Sequence, residues 1–337
     1  MLKVNLDQIK KRELATAKLR KLSLDAVNAH QLFDAKSLCN LNLGLNEETR
    51  SQLLRLDESG PLRKLMIVRD DYLARCRELE VRFPNFSGYI NDFLLPSLAL
   101  SHIRKASFQL PPTVFVGSPG VGKTLFVSAL AEAFYLDFER VNLETSQASL
   151  ELVGTARGWS NAQPGLLLRW MIRSEFANGI CVLEELDKAD DKSSRNPIVN
   201  SLLQLLEPTT SKSFGDLSMP ELKLDLSKIN FLFTANTLDG IPPAVLSRVM
   251  TYEVPDLTPL QAKNVAIRQY EEMLKDLKLP IGAPTLTPEG LALLSNESPR
   301  RQRLLLQLAI GSAVYKQSKE LVIKKVSKPP KGIGFVL

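Results

Sequence analysis

Short runs with β-branched and aromatic residues recur at Thr113–Val116, Phe138–Leu143, Ile180–Leu183, Ile229–Thr234 and Thr251–Val254. Each is short enough for a strand, and Thr113–Val116 and Ile180–Leu183 read as strands buried on both faces. Between them the apolar positions change to helical spacing, first at Leu125, Val127, Ala129, Leu130, Ala133 and Phe134. The same spacing returns in a piece around Ser149–Val153 and again from Leu166 to Phe176, on either side of the Gly/Ser/Asn-rich stretch Gly154–Gly165. Strands alternating with helices predict an α/β fold built on a five-stranded parallel sheet covered on both faces. In open sheets of this kind ligands gather at the carboxyl ends of the strands.

The flanks read differently. Leu2, Val4 and Leu6 alternate as a short strand would, and polar helical sequence follows to about Lys36. A loop is expected over Cys39–Leu45, then a short helix capped by Asn46. After Gly60-Pro61 the positions Leu62, Leu65, Met66, Tyr72, Leu73, Cys76, Leu79 and Phe83 follow a seven-residue pattern, with Arg69 in one seam position. That pattern predicts one long bundle helix, ended by Phe83-Pro84-Asn85-Phe86. A further apolar helix is expected from Ile90 to Ala106. Beyond Pro255 the strand runs cease, and three helix starts share one device: Thr258-Pro259, Thr287-Pro288 and Ser298-Pro299 each place a capping hydroxyl before a proline. The resulting organisation is a helical N-terminal region over 1–82, an α/β domain over 83–255, a helical domain over 256–326 and a tail over 327–337.

Composition narrows the class. With 337 residues, of which 44% are hydrophobic, the chain can bury real cores in two or three domains. Cys39, Cys76 and Cys181 lack paired spacing, and His30 and His102 are too few to build a zinc site. The cysteines read as reduced thiols of a cytosolic protein. No apolar run approaches the length of a membrane span, and the first ten residues do not read as a leader. The net charge of +6 is concentrated at the ends, in Lys3, Lys10, Lys11, Arg12, Lys18, Arg20 and Lys21, then Lys316, Lys319, Lys324, Lys325, Lys328 and Lys331. Such ends are solvated faces or contacts for nucleic acid or acidic proteins.

The chemistry begins where the first sheet run empties into Gly117-Ser118-Pro119-Gly120-Val121-Gly122-Lys123-Thr124. Strand, glycine-rich loop and helix form the context of a phosphate loop. Its backbone N–H groups and helix N-terminus face an anion, Lys123 reaches the β- and γ-phosphates, and the Thr124 hydroxyl meets Mg²⁺. Glu184-Glu185 closes another apolar run. Alternation sends the two side chains apart, so one can serve the metal and the other the attacking water. Asn236, at the end of a third run, is placed to orient that water. Arg248 carries the planar, permanent charge suited to a γ-phosphate in transfer.

The ordered motifs GSPGVGKT, LVGTARGWSNAQPG, CVLEELDKAD, NSLLQLLEP and KINFLFTANTLDGIPPAVLSRV resemble those of AAA+ ATPases. Within that superfamily they resemble the ATPase module of Lon-type proteases, over roughly residues 83–320. The resemblance implies a P-loop αβα sandwich with a C-terminal helical lid, ATP and Mg²⁺ as cofactors, and a ring, usually a hexamer. It implies a finger role in trans for Arg248, a sensor role for Asn236 and a lid contact to nucleotide for Arg300, with Arg301 and Arg303 close in register. It also places the substrate-gripping pore loop at Leu152-Val153-Gly154, with Trp159 as a second candidate for the grip.

Three departures accompany the likeness. Glu184 stands where Asp is usual, Leu152 replaces an aromatic residue, and no Ser/Lys peptidase domain follows the lid in this sequence. The expectation is a cytoplasmic Mg-ATPase ring that remodels or unfolds proteins without its own proteolysis. The alternatives are a nucleic-acid-acting or partner-loading ATPase using the basic termini, or an ATP-gated interaction module with little turnover.

Overall fold

The computed structural model describes residues 29–38, 45–144, 148–156, 162–189, 198–278 and 284–324. The expectations for Leu2–Leu6, Trp159 and the tail 327–337 lie outside the described residues, as do most of the basic positions at the two ends. The chain divides into two compact units. The first takes the described residues of Met1–Glu80, Ser87–Gly117 and Lys123–Val254. The second takes Val81–Phe86, Ser118–Gly122 and those from Pro255 onward.

The first unit is an α/β sandwich. Its strands β1 (Ala29–Gln31) and β2 (Leu62–Lys64) pair antiparallel. The main sheet has five strands: β3 (Thr113–Val116), β4 (Phe138–Asn142), β5 (Ile180–Glu184), β8 (Asn230–Ala235) and β9 (Met250–Glu253). They run parallel in the order β4-β5-β8-β3-β9. Between β5 and β8 a hairpin of β6 (Phe214–Asp216) and β7 (Met219–Leu224) is inserted. The helices of this unit include α1 (Glu47–Ser59), α2 (Tyr72–Arg82, continuing into the second unit), α3 (Leu95–Ile103), α4 (Lys123–Ala133), α5 (Ala148–Val153), α6 (Leu166–Arg173), α7 (Ile198–Leu206) and α8 (Pro243–Leu246).

Burial explains the strand runs. All of β3 and all of β8 are buried, so both sheet faces are largely apolar there, and the buried Asn230 amide donates to the Asn178 and Gly179 carbonyls. Trp170, Leu183, Phe233 and Leu202 contribute to the main core. A second knot is aromatic. The Phe115 ring meets Tyr89 at 4.8 Å and Phe126 at 5.7 Å, both edge to face, with Tyr252 at 6.3 Å.

The N-terminal region differs from the helical expectation. The segment 62–83 is not one helix: β2, a loop and then α2 occupy it. The expected helical run to Lys36 contains β1. The cause is tertiary. Arg63 is 4% exposed, and its guanidinium donates to the Met171, Gly60 and Leu62 carbonyls, contacts that a solvated heptad position would lack. Lys64 N–H donates to Glu175 O, and Ala177 N–H to Lys64 O, so the main chain of β2 is bonded to the segment after α6. The capping of α1 by Asn46 is present, with Thr49 N–H donating to its side chain at 2.9 Å.

The second unit is mostly helical, from α9 (Pro259–Asp276), α10 (Pro288–Leu294) and α11 (Pro299–Lys316). Thr258 caps α9 in a reciprocal box with Gln261, and Thr287 caps α10. Ser298 has extended backbone before α11, without a side-chain cap bond. A two-residue parallel pairing of β10 (Thr285–Leu286) with β11 (Glu320–Leu321) interrupts the otherwise helical pattern. Leu294, Leu306, Ile310 and Leu321 fill its separate core. Gln302 is fully buried, and its amide donates to the Ala262 and Leu294 carbonyls, tying the three helices together.

Phe115→Ala removes the ring common to three aromatic contacts beneath the sheet. The expected loss is about 3–5 kcal/mol in urea unfolding followed by circular dichroism. A loss below about 1 kcal/mol would show that the cluster is not closely packed.

Candidate nucleotide site

The parallel register of the sheet brings polar residues to one edge. Strand β3 runs beside β8, with Val116 opposite Ala235, so Asn236 comes up beside the start of the loop at Gly117. Strand β5 flanks β8 on its other side and ends at Glu184. Helix α4 then begins at Lys123.

Lys123 is 9% exposed, and its ammonium donates to Gly117 O at 2.6 Å and to Asn236 Oδ1 at 3.1 Å. A buried ammonium needs acceptors, and these two hold it at the mouth of the loop. The Thr124 hydroxyl donates to Glu184 Oε1 at 2.5 Å. Arg140 Nε lies 3.9 Å from Glu184 Oε2. Glu185 has left-handed backbone, φ 60° and ψ 47°, a region that non-glycine residues seldom enter. Its carboxylate accepts from Lys188 at 2.9 Å.

Ser118–Gly122 packs within the second unit. Gly120 and Gly122 have φ of 83° and 107°, which turn the loop where side chains would be strained. A Cβ at Gly120 would lie 3.2 Å from Arg300 Cβ and 3.3 Å from Ser298 Oγ, so Arg300 is directly beside the loop. Arg301 instead points to Glu297, with Nε 3.0 Å from Oε2.

Lys123, Thr124 and Glu184 fit a phosphate and a hard cation. At Gly122 a Cβ would meet open space, which leaves the loop backbone accessible to an anion. The Thr124 hydroxyl and the Glu184 carboxylate supply the oxygen ligands that Mg²⁺ takes, with room for waters.

Two expected residues are placed otherwise. Leu152 is 0% and Val153 5% exposed, both in the main core, so neither side chain is available to grip a substrate. Gly154 is buried against Gly165 and Asp216. Asp216, 1% exposed, accepts from Gly165 N–H at 2.8 Å and from Ser218, while Leu217 N–H donates to Val153 O. Burial raises the Asp216 carboxyl above its ordinary range, opposed by the hydrogen bonds from Ser218 and Gly165. The neck of the loop is therefore a hydrogen-bonded anchor. Trp159 lies outside the described residues.

Arg248 follows α8 and is folded onto its own chain. Its Nη1 donates to Ala244 O at 2.9 Å and to Ser247 Oγ at 3.3 Å, and Nε lies 3.4 Å from Glu207 Oε2. Sequence reading passed over Glu207, Lys188, Glu144 and Asp216. Glu207 and Lys188 stood inside quoted motifs, so a signal was present; Asp216 had none, since a hairpin was not anticipated.

The family model for AAA, ATPase family associated with various cellular activities, matches residues 113–255. Lon protease from Nitrosococcus oceani is 34% identical over 204 residues, covering 59% of this chain and 26% of that protein. Lon protease from Dictyoglomus thermophilum is 30% identical over 257 residues, 73% of this chain and 32% of that protein. The peroxisomal Lon protease homolog 2 of Oryza sativa subsp. indica is 34% identical over 160 residues, 47% of this chain and 18% of its own length. The chain thus spans between about a fifth and a third of these relatives. Among solved structures, a closed-state cryo-electron microscopy reconstruction of Hsp104:ATPyS and FITC casein matches with TM-score 0.58 and 14% identity, a likeness of fold. It covers 74% of this chain and 48% of that one. Residues 113–255 form an AAA+ P-loop domain, and the chain that carries it resembles the ATPase module of Lon-type proteases.

Proposed function

We propose that this protein binds ATP with Mg²⁺ and hydrolyses it, and that copies assemble as a ring, in the form of a hexamer, to remodel or unfold a protein substrate. The observation that carries this reading is the pair of contacts at the sheet edge, Lys123 to Asn236 and Thr124 to Glu184. They gather a cation, an amide, a hydroxyl and a carboxylate around the start of α4. When bound, Mg-ATP supplies the phosphoryl group and the metal that neutralises charge on it.

The chain's own residues then divide the work. The Ser118–Gly122 backbone cradles phosphate oxygens, and Lys123 offsets their charge. Thr124 and Glu184 hold the metal. Glu185 takes the proton of the attacking water or holds that water in line. Asn236 orients the same water through its amide. Arg300, beside Gly120, and Arg248 from a neighbouring copy stabilise charge as it spreads over the phosphoryl group. Among the described residues no helix is long and apolar enough to cross a membrane.

Lys123→Ala is expected to abolish ATP binding in a fluorescence titration, at a cost on the order of a few kcal/mol. Unchanged affinity would remove the central assignment. Glu185→Gln should bind ATP normally and release no phosphate. A normal rate in that variant would show that Glu185 is not the water-directed group.

Arg248→Ala should also bind ATP and hydrolyse it roughly 10³-fold or more slowly, as loss of a finger does. Mixing it with Glu185→Gln should recover activity, since some interfaces then join an intact Glu185 to an intact Arg248. The reading as a ring would be lost if the wild-type rate per protomer did not rise with concentration and mixing gave no recovery.

A further inference from the structure

The Glu185 carboxylate does not stand alone. Strands β4 and β5 run in register with Asn142 opposite Glu184, and Leu143 N–H donates to Glu184 O at 2.9 Å, extending the ladder one step past β4. This carries Glu144 alongside Glu185. The Glu144 N–H donates to Asn142 Oδ1 at 2.9 Å, which closes a turn just after β4. Lys188, at the end of the short turn Leu186–Lys188, reaches both acids: its ammonium donates to Glu144 Oε1 at 2.8 Å and to Glu185 Oε2 at 2.9 Å.

We propose that Lys188, itself seated by Glu144, is a positioning residue for Glu185: it holds one carboxylate oxygen so that the other is presented to the attacking water. The inference rests on the reading of Glu185 given above. A single exposed ion pair contributes little to stability. Here two features raise its importance. The cation is shared by two carboxylates, so its position is defined from both sides, and Glu144 is held below and Lys188 above its ordinary range by these contacts. Glu185 also has a left-handed backbone, a conformation that persists only where the surroundings over-determine it.

The surroundings that do so are identifiable. Lys188 N–H donates to Glu185 O at 2.9 Å, and the side-chain bond closes the same turn a second time. The Glu185 N–H makes a long contact, 3.4 Å, to the Thr234 hydroxyl. A base needs a third group to fix its orientation, and an error of about 1 Å in such a group can cost on the order of 10²-fold in rate. Lys188 supplies that group from within the same turn, without touching the phosphates.

The test measures steady-state ATP hydrolysis and, separately, affinity for ATP in full-length variants. Lys188→Ala should lower kcat by about 10- to 100-fold with KM and affinity within about twofold of wild type. Lys188→Arg should recover most of the rate, because its fork can reach the same two oxygens. Glu144→Gln should show a smaller loss of kcat, and the double variant should be no slower than Lys188→Ala, since both act along one path. A wild-type kcat in Lys188→Ala, a matching loss of affinity, or losses that multiply in the double variant would overturn the proposal. Should Lys188→Ala fail to fold, Glu144→Gln and Lys188→Arg decide: an unchanged kcat in the first, or a kcat no better than background in the second, overturns it. Glu185→Gln separates the two levels. If it hydrolyses ATP normally, the reading of Glu185 and this inference fall together; if it is inactive while Lys188→Ala is normal, only the inference falls.

Discussion

A buried ammonium cannot be left without acceptors, and Lys123 is such a group. Meeting its requirement fixes much else. Its acceptors are Gly117 O, at the exit of β3, and Asn236 Oδ1, just beyond β8. Those atoms meet only because the two strands are parallel neighbours in register. The Thr124–Glu184 bond ties α4 in turn to β5, across β8 from β3. Three strands and one helix are thereby locked at one edge by polar contacts, while their apolar flanks are locked in the core. Polar contact and apolar core are jointly satisfied by one sheet order.

The segment before the sheet is part of the same construction. Arg63 spends its donors on carbonyls around the end of α1 and on Met171. Asn46 serves twice, capping α1 with its oxygen and donating its amide to Ala162 O at 2.6 Å. His30 and Leu32 contact the main chain of Asp225 just after the β6–β7 hairpin. Residues 29–64 are thus fastened to the segment just after the β6–β7 hairpin, to α6 and the turn that follows it, and to the loop before α6. A helix packed only by its own heptad would have made none of these bonds.

The loop that resembles a substrate grip shows how a motif can keep its position and change its exposure. Leu152 and Val153 hold the places expected of them but face inward. Gly154 and Gly165 approach so closely that a Cβ at Gly165 would lie 2.4 Å from Gly154 N. Backbone contact of this kind admits no side chain, and Asp216 fills the remaining hydrogen-bonding need from the hairpin. The two glycines are explained by that packing before any functional reading is applied.

What the sequence alone determined was local. The central strands β3, β5 and β8 are buried on both faces and rich in apolar residues, and the edge strands β4 and β9 keep β-branched and aromatic residues beside charged ones, so all five were legible within a residue or two. A proline after a capping hydroxyl starts a helix whatever surrounds it, so α9, α10 and α11 were legible too. The phosphate-loop residues were visible for the same reason: their spacing is a property of a single turn. What only the tertiary structure decided depends on partners far along the chain. The strand at Leu62–Lys64 exists because β1 and Glu175–Ala177 are there to pair with it, and periodicity cannot register a partner. Arg300 lies beside Gly120 and Arg301 against Glu297, because successive residues of α11 point about 100° apart. Glu144 becomes a neighbour of Glu185 and Lys188 through the register of two strands whose pairing no single segment encodes.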